Sequence, residues 1–98
     1  MDTKTLEKSI IMTKEEMIAL FEEVTDYIYN NRHRSYHDWY YPHNDFTWGG
    51  NNTYLSFEVD YSNDKGSDWT ETWSIYDDGS ISDGENKYED LETFKSSW

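Results

Sequence analysis

Ninety-eight residues with a formal net charge of −13 describe one small domain, 1–98, rather than a multidomain protein. The chain has no cysteine, which excludes disulfides and thiolate zinc sites, and nothing in it approaches the length of a membrane span. Leu, Ile, Val and Phe together number 16, which with this charge lies in the compositional range of disordered chains, but five Trp and nine Tyr restore buriable surface. Each such ring covers about 150–250 Å² when buried, so a folded core rich in aromatics is expected.

In chain order, Thr3 to Ile11 reads equally as a short helix or an extended arm, so 1–12 is left open between the two. No secretory signal is recognised there, because Ile10-Ile11-Met12 is too short an apolar run and acids precede it, and a cytoplasmic location is expected. Thr13-Lys14-Glu15-Glu16 is a capping box, with Met12 and Met17 at the two positions of a hydrophobic staple across it. Met17, Leu20, Phe21, Val24, Tyr27 and Ile28 then recur at helical spacing, with Glu15, Glu22, Glu23, Asp26 and Asn30 opposite, which predicts a helix over about 14–31.

Arg32 to Gly50 contains all three histidines (33, 37 and 43), both arginines, the one proline and a dense set of rings, Tyr36, Trp39, Tyr40, Tyr41, Phe46 and Trp48. Pro42 disfavours helix at Tyr41, and Gly49-Gly50 breaks regular structure again, so a frayed helix end followed by a long connection over the core is predicted. His33 and His37 would share a face of a continued helix, but no Glu completes a zinc-binding His-Glu-x-x-His pattern. The rings could stack sugars or bases, although a chain so poor in aliphatics needs them first as core and cover.

From Thr53 to Tyr61 the residues alternate, Leu55, Phe57, Val59 and Tyr61 on one side and Tyr54, Ser56, Glu58 and Asp60 on the other, which predicts a strand. Ser62 to Ser67 is a turn cluster. In the next strand Trp69, Trp73 and Ile75 share a face against Thr70, Thr72, Ser74 and Tyr76. Asp77-Asp78-Gly79 is then a hairpin loop whose length sets register. A three-residue loop with Gly79 left-handed pairs Ile75 with Ile81 and keeps the apolar face continuous, whereas a two-residue loop would put Ile81 beside Tyr76. Asn86 with Glu89 reads as a helix cap, and Tyr88, Leu91, Phe94 and Trp98 mark one side of a short C-terminal helix. The expected class is α+β: an N-terminal amphipathic helix, a three-stranded antiparallel sheet and a short C-terminal helix, in the order α-β-β-β-α.

No phosphate loop, nucleophile motif or calcium loop is present, and the carboxylates fall at turns and on a polar strand face where they stay ionised. Neither an enzyme nor a cofactor is expected. The charge is unevenly placed: residues 1–43 carry eight acids and five bases, residues 44–98 thirteen acids and three bases. Solubility alone asks for a net charge of magnitude about 2–8. The excess points to an acidic surface that repels nucleic acid and anionic membranes and attracts basic partners. Glu58 and Asp60 form a row on one strand face, which Asp64, Asp68, Asp77, Asp78, Asp83 and Glu85 could extend at the sheet ends, an array suited to a Lys/Arg-lined channel that normally holds phosphates.

In size, charge and element order the whole chain resembles the small acidic inhibitors of phages and mobile elements that mimic DNA, several anti-CRISPR proteins among them. That resemblance carries no residue motif. It implies a non-enzymatic inhibitor of a basic nucleic-acid-binding protein, a CRISPR effector nuclease first, with those eight acids as the partner-binding surface. Two alternatives stand beside it: an immunity protein neutralising a basic nuclease toxin, and a metal- or carbohydrate-binding module built on residues 32–48.

Overall fold

The structure, a computed structural model, describes residues 11–98. The expectation for residues 1–12 therefore lies almost wholly outside the described residues, apart from the end of that stretch, where the Met12 amide donates to the Asp77 carbonyl at 2.9 Å. Helix α1 spans Lys14–Asn30 and begins as its sequence dictates. The Thr13 hydroxyl accepts from the Glu16 amide at 3.1 Å, and the Glu16 carboxylate accepts from the Thr13 amide at 2.8 Å. Met17, Phe21, Val24 and Ile28 form its buried stripe, and Met12 packs against the core beside them.

Among the described residues, seven antiparallel strands follow: β1 His33–Ser35, β2 Asp38–Pro42, β3 Thr47–Gly49, β4 Tyr54–Asn63, β5 Asp68–Tyr76, β6 Ile81–Ser82 and β7 Lys87–Tyr88. Helix α2, Leu91–Ser97, ends the fold. Six strands lie in the order β1-β2-β4-β5-β6-β7, while β3 pairs with β4 beyond the end of β2. No described helix is long and apolar enough to cross a membrane.

Among the described residues the class is α+β with one helix before the sheet and one after it, and the expected three-stranded sheet is corrected to seven strands. Residues 32–50, expected as a connection, form β1, β2 and β3. These strands are three to five residues long and carry rings on both faces, so no period-2 pattern announces them. Pro42 is tolerated because it is the last residue of β2, where a missing amide is least costly. The next amide, that of His43, restores bonding to β4 by donating to the Glu58 carbonyl at 2.8 Å. Strands β6 and β7, two residues each, are too short to leave a pattern.

The predicted β5–β6 register is present, with Ile75 opposite Ile81, and on its other side Ile75 lies opposite Leu55 of β4. Gly79 has φ +89° and its amide donates to the Tyr76 carbonyl, while the Tyr76 amide donates to Ser80, closing the three-residue loop. The expected Asn86 cap is corrected to Asp90, whose carboxylate accepts from the Thr93 amide at 2.8 Å. Asn86 instead closes the β6–β7 turn, its carbonyl accepting from the Asp83 amide at 3.0 Å, because Lys87-Tyr88 still pairs with β6 before the helix can start.

The core lies on one sheet face. Leu55, Phe57, Val59 and Tyr61 of β4, Trp73 and Ile75 of β5 and Ile81 of β6 pack against α1 and against Phe94 of α2. Rings dominate it: Trp73 meets Phe57, Phe94 and Trp98 at centroid distances of 5.8–6.1 Å, and Phe21 sits edge-on to Phe46 and Phe57 at 5.0 Å. Trp69, expected inward with Trp73, shares that side of the sheet but stays half exposed beyond the reach of the helices, its ring 4.2 Å from that of Tyr61.

Candidate acidic interface

No described helix covers the other sheet face. Cross-strand partners share a face, so the register places Glu58, Asp60, Asp68, Thr70 and Thr72 together there, with Tyr41 opposite Asp60. Glu58 and Asp60 are 56% and 49% exposed at their side chains, and the His43 imidazole lies between them. Its Nε2 is 2.9 Å from Asp60 Oδ2 and its Nδ1 is 3.8 Å from Glu58 Oε1. The Thr70 hydroxyl donates to the remaining Asp60 oxygen at 2.8 Å.

These contacts set both titrations. The hydrogen bond to Asp60 raises the His43 pKa above the usual histidine value; partial burial opposes it, and the charges of Asp60, Glu58 and Asp45 reinforce it. Asp60 is held below the usual carboxylate range by the bonds from His43 and then Thr70. A shallow depression of about 300 Å³ adjoins the cluster where the chain passes from β2 to β3, walled by His43, Asp45, Thr47, Ser56, Glu58 and Thr72.

The eight acids singled out from the sequence do not form one array. Glu58, Asp60 and Asp68 share the open face. Asp64, in the β4–β5 turn, lies 2.5 Å from His37 Nδ1 and ties that turn to the β1–β2 connection. Asp77 and Asp78 sit at the far end of β5, about 30 Å from Asp68 at the rise of an extended strand. Asp78 is committed to its own turn, accepting from the Ser80 amide at 2.9 Å and the Ser80 hydroxyl at 2.6 Å, bonds that lower its pKa. Asp83 is similarly engaged by the Glu85 and Asn86 amides and by the Tyr88 hydroxyl. With Glu85 it belongs to the β6–β7 turn beside the helix-bearing face.

Comparison with known proteins gives no family for this arrangement. No family model, curated protein or solved structure matches the chain.

One carboxylate was missed. Glu71 occupies a core-facing position between Trp69 and Trp73, and it accepts from both indole N–H groups, at 3.3 and 3.2 Å. The signal was present in the sequence: an acid at an inward register position of an otherwise apolar strand face is a device by which sheets discourage edge pairing. The fold gives the three histidines separate partners. His33 lies edge-on to Trp39 at 5.7 Å, His37 pairs with Asp64 and His43 with Asp60. Among the described residues no group of three His, Cys, Asp or Glu is disposed to hold a metal ion.

Four of the described cations lie over aromatic rings. Lys14 lies over Trp48, Arg32 over Tyr29, Lys87 over Tyr76 and Lys95 over Tyr27, at 4.5–5.7 Å from the ring centroids. Among the described side chains, one lysine–carboxylate pair occurs, Lys95 with Glu23 at 3.9 Å, on the helical side of the molecule.

Proposed function

We propose that the protein is a non-enzymatic inhibitor that occupies the nucleic-acid-binding channel of a basic target, mimicking a nucleic-acid strand, with a CRISPR effector nuclease as the target class. One observation carries the reading: exposed carboxylates stand on a sheet face that no described helix covers, while the described lysines and arginines rest mainly on aromatic rings. Glu58 and Asp60 are two positions apart on one strand, a spacing of about 6.6–6.8 Å, close to twice the axial charge spacing of about 3.4 Å along one DNA strand. A Lys/Arg-lined channel that meets this face exchanges its phosphate contacts for carboxylate contacts, and the complementary fields speed the encounter.

The interface is smaller than the sequence suggested. Glu58, Asp60 and Asp68 carry it, with Asp64 at its border, while Asp77, Asp78, Asp83 and Glu85 lie elsewhere. The test uses guide-loaded CRISPR effector nucleases, measuring target-DNA binding and cleavage with the protein present. Replacing Glu58, Asp60 and Asp68 together by Lys is expected to weaken inhibition by at least about tenfold, mainly through slower association. The same reversals at Glu15, Glu22 and Glu23 of α1 are expected to matter less. Inhibition should also fall as NaCl rises from about 50 to about 500 mM. A complex that forms equally well across that range, with DNA still bound to the nuclease, would overturn the mimicry.

A further inference from the structure

Strand β5 is longer than its neighbour on the β6 side. Pairing with β6 ends at Ser74 opposite Ser82, and the chain then turns away at Gly84, whose φ is +99°. From Asp68 to Glu71, β5 therefore has β4 on one side and, among the described residues, no strand on the other. The unbroken register fixes which backbone groups this edge offers. The Tyr76 amide donates to Ser80 on the β6 side, and alternate residues of an antiparallel strand direct their N–H and C=O groups the same way. Thr70 and Asp68 thus present their amides and carbonyls outward, as an edge does when it accepts another strand.

Carboxylates flank this edge on both sides of the sheet. On the helix-bearing side, a hollow of about 240 Å³ opens beside it, and its walls include Glu71, Asp83 and Glu85. On the other side stand Asp60 and Asp68. A strand laid along the edge would send alternate side chains to the two sides, so a lysine or arginine opposite Glu71 would reach three carboxylates. The indoles of Trp69 and Trp73 flank the same spot.

We infer that the free edge of β5, residues 68–71, is a docking site for a basic extended peptide segment, which joins the sheet as an added strand and places Lys or Arg side chains in the hollow of Glu71, Asp83 and Glu85. This deepens the inhibitor reading by naming how a basic partner is gripped, and it rests on that reading only for the partner's charge. Edge acids that serve merely to prevent aggregation would show no such binding.

The probe is an acetylated and amidated peptide alternating threonine and lysine over six residues, titrated into the full chain at low salt and followed by backbone amide NMR and calorimetry. The Asp68 and Thr70 amides are expected to shift and to gain protection from hydrogen exchange. Two isomers of the peptide, N-methylated at every threonine or at every lysine, have the same charge and composition. Only one set of amides faces β5 in a given strand orientation, so one isomer should bind like the parent and the other about tenfold or more weakly. Glu71→Gln, which removes the charge but keeps an acceptor for one of the two indoles, should weaken the parent peptide, while Asp77→Asn at the far end should not. Equal binding of both isomers, or perturbation confined to Glu58 and Asp60, would reduce the contact to charge alone and overturn strand addition. Absence of parent-peptide binding would overturn it too. Neither result touches the nuclease assay, so failure of one reading is distinguishable from failure of the other.

Discussion

At the scale of single residues, the imidazole between Glu58 and Asp60 governs how much charge the open face shows. The His43 pKa is raised in the folded protein, so its contribution to stability is fully present below the ordinary histidine value and is lost as pH rises through the raised value. The Asp60 pKa is lowered, so its contribution is present above the ordinary carboxylate value and is lost as pH falls through the lowered one. The pair therefore stabilises most between about pH 4 and about pH 6.5. Both side chains are more than a third exposed, at 37% and 49%, which limits the effect to about 1 kcal/mol or less. The difference in melting temperature between the native protein and His43→Asn should be largest in that window and shrink as pH rises beyond it. In an NMR titration Asp60→Asn should return the His43 midpoint toward the ordinary value; an unchanged midpoint would remove Asp60 as the cause. The placement of Glu58 and Asp60 on one face was legible from alternation alone. The pairing with His43 was not, since it depends on Pro42 ending β2 opposite Val59, which brings His43 alongside Glu58. Nor was the consumption of Asp78 and Asp83 by their own turns: a surface acid and a turn-capping acid look alike until the backbone amides are in place.

At the scale of elements, legibility follows length. Helix α1 and strands β4 and β5 are long enough for burial to repeat several times, and each repeat adds to the pattern. The strands built from residues 33–49 are not, and their rings face both ways. The β5–β6 loop is the exception, a short element that the sequence specified because only one loop length keeps Ile81 beside Ile75. Gly79 enforces that choice. With φ at +89°, Gly79→Val should cost about 1–3 kcal/mol, read as a lower midpoint in urea with an unchanged slope. A Cβ there would have room, its nearest neighbour being the Met12 sulfur at 3.7 Å, so the loss would report backbone strain rather than collision. An unchanged midpoint would show that the loop can adopt another turn. Gly49 constrains its site by the opposite means: a Cβ would fall 2.5 Å from the outer end of the Tyr54 ring, so a larger residue there has to displace that ring.

At the scale of the whole molecule, salt separates folding from binding. A domain of net charge −13 repels itself, and the screening length falls from about 10 Å at 0.1 M to about 3 Å at 1 M. The melting temperature should therefore rise with NaCl while nuclease inhibition falls, two opposite slopes from one charge distribution. A melting temperature that declines steadily would mean that the carboxylates gain more from local partners than they lose to one another. The shared acceptor at Glu71 has a further consequence. One carboxylate holds the indole N–H groups of both Trp69, half exposed, and Trp73, 1% exposed, so a group that draws this carboxylate away alters two fluorophores of different polarity at once. Occupancy of the β5 edge should then be readable as a change in native emission, without any attached dye, and Glu71→Gln should shift the resting spectrum in the unliganded protein.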